Sequence, residues 1–344
     1  MTTCRITYDH NGSPGIWAEN PAEAYWGIGW VHGRHRPFQS RLIGAAAQGR
    51  LAEHLWDLEP LTALDALIHR LDIPEMGRRE APKISGDSLL LLDAYIEGWR
   101  AGAVLAKTPF ELRLLMTRLP DLTRVSVVSS LLLSGYLGLA QSQERMERAL
   151  VQALVEGAKP EVMEEMFHPH LNGWDPKALS EFGAKALSGF GTGGVRAVGG
   201  SNAWAVSPEH THSGQSILCG DPHLQVNQLP AIFCEVRVRM GDDYWLGATI
   251  PGLPGIAVGR NRDVAWSGTF GVSDNVDYAI EEVKAGQVKR PQESASVVTR
   301  EVEIKRRFKD PLVLKFFDTD RGTLETQELA DGQVLASLWS SSAR

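Results

Sequence analysis

The 344-residue sequence is short of several things that would point elsewhere. Its three cysteines, Cys4, Cys219 and Cys234, are an odd number with no C-x-x-C spacing. That excludes a disulfide framework and a structural zinc site. A basic excess is missing too: the formal net charge is −7, so no positive field draws in nucleic acid. No apolar run reads as approaching the roughly 18 residues that span a bilayer. The first ten residues lack the charged, apolar and small-residue order of a secretory leader. The chain as given therefore reads as cytoplasmic and without a membrane partner, with the periplasm or secretion open to a form carrying a leader. The serine marker G-x-S-x-G is absent around Ser201, which sits in Gly199-Gly200-Ser201-Asn202-Ala203.

What is present divides by period. Residues 3–18 predict two short strands, around Arg5 to Tyr8 and Gly15 to Ala18, joined by Asp9-His10-Asn11-Gly12. Asn20-Pro21-Ala22-Glu23 predicts a capped helix start, continuing towards Glu53 through the close-packing pair Gly27 and Gly29. From about 60 to 155 the apolar spacing stays near 3.6. Residues 157–200 lose that period, gain glycine and read as a surface linker. After 201 the period becomes two: Ile232 to Met240 alternates apolar residues with Glu235, Arg237 and Arg239, and Val297 to Phe308 with Leu312 to Phe317 predicts an antiparallel pair. Helices first and consecutive short strands afterwards indicate an α+β protein with three segments, 1–156, 157–200 and 201–344. The chain stops at Arg344 straight after the strand-like Val334 to Leu338, which reads as unfinished.

A serine hydroxyl needs a base beside it to act as a nucleophile. One solution is a histidine. Another places the serine at a chain N-terminus, where the α-amine has a pKa of about 7.7–8 and suits the task. The second requires a cut between Gly200 and Ser201, and the paired glycines permit the tight backbone such a cut needs. A turn entering a strand would need the same glycines. Gly189-x-Gly191-x-Gly193-Gly194 is a poor dinucleotide signal, with no apolar strand before it and no capped helix after it. His210-x-His212 reads as an exposed turn, His32 and His35 as surface or packing residues of a helix, and Cys219 and Cys234 as buried thiols.

Ser201-Asn202-Ala203-Trp204-Ala205-Val206, followed by Gly220-Asp221-Pro222-His223-Leu224, resembles the start of the β-chain of penicillin acylases, which belong to the N-terminal-nucleophile hydrolases. Asp9 to Ala18, Ala24 to Phe38, Gln48 to Glu53 and Pro109 to Leu115 are similar to α-chain segments of that family in the same order. The resemblance implies a four-layer αββα sandwich and an amidohydrolase that splits a small-molecule N-acyl amide. The α- and β-chains would come from one precursor cut at Gly200–Ser201, with Ser201 as nucleophile. It further implies that His223 helps hold the α-amine, and that the Phe270 N–H forms half of an oxyanion hole whose other members lie beyond Arg344. No organic cofactor is implied. One structural Ca2+ is, held by Asp274, Val276, Asp277 and, from the α-chain, Glu144. A conventional His-based serine hydrolase, and a non-catalytic or unprocessed scaffold, stay open as alternatives.

Overall fold

The computed structural model describes residues 4–155, 158–167, 200–224, 231–269, 275–291 and 293–342. The chain forms two compact units. The first lies within Met1–Trp56, Ile73–Leu133 and Val198–Phe270, the second within Asp57–Asp72, Ser134–Ala197 and Gly271–Arg344. Each unit draws on both the helical and the stranded half of the sequence.

The first unit carries a six-stranded sheet in the order β1-β2-β5-β6-β7-β8. Its strands are β1 (Arg5–Tyr8), β2 (Pro14–Ala18), β5 (Cys234–Met240), β6 (Asp243–Thr249), β7 (Val258–Arg260) and β8 (Ala265–Trp266). A separate two-stranded ladder joins β3 (Ser201–Val206) to β4 (Ile217–Pro222). The opening hairpin is as the sequence predicts, and β2 pairs in parallel with β5. Alternation along β5 buries Val236 and Val238 and leaves Glu235, Arg237 and Arg239 exposed. The buried face meets Ile28 and Val31 of the helix Pro21–His35 and Tyr95 and Trp99 of the helix Gly86–Leu105.

Those two helices touch backbone to backbone. A Cβ at Gly29 or Gly33 would overlap the Tyr95 or Trp99 carbonyl, and one at Gly98 or Gly102 the Trp26 or Trp30 carbonyl. The close contact runs through these two small-x-x-x-small pairs. Gly27, the other member of the close-packing pair, packs on Ile16. The Asn20 side chain accepts from Glu23 N–H, as the predicted cap requires. The helix does not continue to Glu53: it ends at His35 before Pro37, whose missing N–H breaks the ladder, and two further helices, Pro37–Ala47 and Leu51–His54, follow.

In the second unit seven strands run β11-β10-β9-β15-β14-β13-β12. They are β9 (Val276–Lys284), β10 (Gln287–Lys289), β11 (Ser294–Ser296), β12 (Val298–Arg306), β13 (Lys309–Thr319), β14 (Gly322–Leu324) and β15 (Gly332–Trp339). The predicted antiparallel pair is β12 with β13, in register from Val298↔Asp318 to Ile304↔Leu312. Part of the expected linker is helical, Pro160–Phe167; the rest of it, residues 168–199, lies outside the described residues. One helical stretch, Arg124–Ala149, is long and apolar enough by length and composition to cross a membrane, contrary to the sequence reading, and half of its most apolar window is buried in the protein.

Candidate active site

Ser201 opens β3, and the ladder sets it opposite Pro222, with Asn202 opposite Asp221 and Ala203 opposite Gly220. The pairing carries the chain past the strand end, where the His223 N–H donates to the Gly200 carbonyl at 3.0 Å. That carbonyl is the one a cut at Gly200–Ser201 must attack. A donor aimed at it withdraws electron density and stabilises the negative charge that attack places on the oxygen. His223 thus meets Gly200 through its backbone.

The imidazole lies on the other side of the arrangement. Its Nε2 is 3.1 Å from Asn202 Nδ2 and 3.2 Å from Asp221 Oδ2. Its Nδ1 stands 3.0 Å from where a Cβ on Gly200 would be, so a side chain there would press on the ring. Both His223 and Asp221 are substantially exposed, at 46% and 57% of their side chains. The structure therefore brings Gly200, Ser201, Asn202, Asp221 and His223 together.

The segment after β8 reaches the same hairpin. Trp266 pairs with Gly259, and its indole N–H donates to the Ile256 carbonyl at 3.2 Å. Ser267, next in the chain, packs against Gly220. Phe270, three residues on, and Asp274 lie outside the described residues.

The second unit holds Glu144 in a buried ionic network that sequence reasoning missed. Arg70 bridges Glu144 at 3.0 Å and Glu325 at 2.8 Å, Arg148 Nη1 donates to Glu325 at 2.8 Å, and the Tyr136 hydroxyl donates to Glu144. Burial alone would raise the Glu144 carboxyl; the Arg70 and Arg148 charges and the Tyr136 hydroxyl outweigh it and hold the carboxyl below its ordinary range.

These placements bear on the calcium that the resemblance implies. The Val276 carbonyl accepts from Gln143 Nε2 at 3.3 Å, and Asp277 is exposed on β9. Glu144 is already neutralised by two guanidinium groups, which would repel a dication placed beside it. As placed, Glu144 does not fit a calcium ligand. Among the described residues no three His, Cys, Asp or Glu side chains are grouped to hold a metal, and His210 and His212 are both exposed.

A second buried polar group bears out the packing alternative given for it. His32, expected as a surface or packing residue, is wholly buried in the first unit. Thr249 donates to the Cys234 carbonyl at 2.8 Å, so its oxygen accepts from His32 Nε2–H at 2.7 Å. The Tyr95 oxygen accepts from Gly252 N–H at 3.1 Å, so its proton goes to His32 Nδ1 at 2.9 Å. The ring is thereby fixed as the neutral Nε2–H tautomer, and burial, with the nearby Arg36 charge, pushes its pKa down to about 3. Cys219 and Cys234 are half-buried rather than fully buried. No local pattern announces either polar group, because partners lie 63 and 217 residues apart for His32 and 74 for Arg70–Glu144.

Helices packed on antiparallel-rich sheets, with Ser201 opening a strand after Gly200, make an α+β protein. The chain belongs to the penicillin amidase family, whose model matches residues 3–343. It is 29% identical over 296 residues to penicillin acylase 2 proenzyme of a Pseudomonas species, covering 81% of this chain and 37% of that protein. It is 34% identical over 87 residues to the acyl-homoserine lactone acylase QuiP of Pseudomonas aeruginosa, covering 25% of this chain and 10% of that protein. The chain thus spans little more than a third of the first of these relatives. Among solved structures, a thermostable penicillin G acylase from Alcaligenes faecalis matches 48% of this chain and 91% of its own at 20% identity, with a TM-score of 0.39.

Proposed function

We propose that this chain is the nucleophile-bearing part of an amidohydrolase that cleaves N-acyl amides through an acyl ester on Ser201, with the four-layer αββα sandwich as its scaffold. The observation that carries the reading is the 3.0 Å hydrogen bond from the His223 N–H to the Gly200 carbonyl. Ser201 Oγ attacks that carbonyl, the Gly200–Ser201 C–N bond breaks as the ester forms, and the α-nitrogen takes up a proton. Water then hydrolyses the ester, freeing the Gly200 carboxylate and leaving Ser201 with a free α-amine. In turnover the same hydroxyl attacks the substrate amide. The α-amine accepts its proton and returns it to the leaving amine, and water completes the cycle. The Phe270 N–H is the proposed donor to the substrate oxyanion. Family membership, together with relatives named for penicillin and for acyl-homoserine lactone, supports small N-acyl compounds as substrates.

A second reading, a conventional histidine base, has one contact for it and the register against it, since the imidazole shares the Asn202–Asp221 face and Ser201 the opposite one. His223 Nε2 and Asp221 Oδ2, 3.2 Å apart, have the make-up of a base and its orienting carboxylate. Release of carboxylate from a panel of β-lactam side-chain amides and acyl-homoserine lactones, followed by mass spectrometry, separates the two. Ser201→Ala should lower the rate at least about 10³-fold in either case. His223→Ala keeps the backbone donor and should stay within about tenfold of wild type if the α-amine is the base; a loss matching Ser201→Ala makes the imidazole the base.

A further inference from the structure

We propose that Gly220 and Ser267 are a matched pair of positioning residues, a notch and the side chain that fills it. Together they fix the segment after β8 on the face of the hairpin that bears Ser201. The inference rests on the reading of Ser201 as nucleophile and adds residues to which neither the sequence nor the family resemblance gives a role.

The register supplies the first half. Residues directly opposite in an antiparallel pair project to the same face, and alternate residues along a strand share it. Ser201 opposite Pro222 and Ala203 opposite Gly220 therefore place the Ser201 side chain and the missing side chain of Gly220 on one face. The second half is steric. A Cβ added to Gly220 would overlap Ser267 Oγ and stand 2.9 Å from Ser267 Cβ, closer than real Cβ contacts come. Ser267 Oγ is buried and has no hydrogen-bond partner among the described residues, so its visible role here is to fill space. Trp266, one residue earlier, is pinned to the six-stranded sheet by β8 and by its indole N–H. Ser267 is thus seated in the notch directly after the last residue the sheet holds, which fixes where the segment leaves β8.

Gly220 is not in the left-handed region, so alanine there carries no backbone penalty and its effect is the contact alone. Reacting groups misplaced by about 1 Å can cost on the order of 10²-fold in rate. In the full-length chain, Gly220→Ala should slow the Gly200–Ser201 cut at least about tenfold, measured far below the unfolding temperature, with the shape of its pH profile unchanged. Adding Ser267→Gly, which sacrifices no visible hydrogen bond, should bring the rate back to within about threefold of wild type. A Gly220→Ala chain that cuts at the wild-type rate, or a double variant no faster than the single one, overturns the pairing while leaving the Ser201 reading intact. If wild type itself stays whole, the Ser201 reading fails, and the pair is then read by thermal unfolding: the double variant should melt above Gly220→Ala, and additive losses overturn it.

Discussion

In the first unit the buried polar centre is a neutral relay, running from Gly252 through Tyr95 and His32 to Thr249 and Cys234. In the second it is ionic, with Arg70 and Arg148 against Glu144 and Glu325. Both satisfy their members, but they respond differently to change. A neutral relay fails when a proton is added to its imidazole, whereas an ion network fails when one charge is removed and its partner is left buried and unpaired. The unit that holds Ser201 is therefore the one tuned by mild acid, and the unit that holds Glu144 is the one tuned by charge deletion.

The largest expected effect comes from breaking the network. Arg70→Met strips both Glu144 and Glu325 of a guanidinium partner and should cost about 3–5 kcal/mol in urea unfolding. Hydrogen exchange should show the loss in the second unit. A loss under 1 kcal/mol would mean that the charges are solvated and the contrast is empty.

Acid gives the next effect. His32 carries a folded pKa of about 3 against its ordinary 6.5, so the unfolded chain takes up the proton first. The stability it contributes is present above 6.5 and falls by about 1.4 kcal/mol per pH unit below that, about 2 kcal/mol by pH 5. Glu144 is held below its ordinary 4.5, so its contribution is present above that value and is lost only as pH falls further. Between pH 6.5 and 5 the first unit should weaken while the second holds. His32→Leu, which takes the acceptor from the Tyr95 hydroxyl proton and the donor from the Thr249 oxygen, should cost about 1–3 kcal/mol at pH 7 and flatten that slope. Equal weakening of both units over this range would contradict a His32 that stays neutral in the folded chain.

The smallest effect is a control. Arg124 and Asp93 are bonded at 2.6 Å with both side chains well exposed. Asp93→Asn should change stability by no more than about 1 kcal/mol, and salt should abolish the difference. A larger change would show that exposed pairs rival buried ones here.

The residues that could be read from sequence were those whose partners are close in the chain. The hairpin at Asp9–Gly12, the Asn20 cap, the alternation of β5 and the β12–β13 pair each follow from fewer than about 25 residues of pattern. The helix predicted to reach Glu53 stopped at Pro37 because a missing N–H outweighs apolar spacing. At the candidate site, Ser201, Gly200 and His223 were singled out by the resemblance of their motifs, and the structure sets them side by side. The notch at Gly220 could not, since nothing near it signals Ser267. His32 and Arg70 were opaque for the same reason: burial and pairing are decided by residues from other elements. Glu144 was placed by resemblance, and its two arginine partners change what that carboxylate can do.

The most direct test of the central claim is intact mass with N-terminal sequencing of the expressed full-length chain, beside Ser201→Ala. Wild type should yield one piece ending at Gly200 and a second beginning Ser201-Asn202-Ala203-Trp204, while Ser201→Ala stays whole. A wild-type chain that remains intact, or a Ser201→Ala chain cut at the same bond, would contradict it.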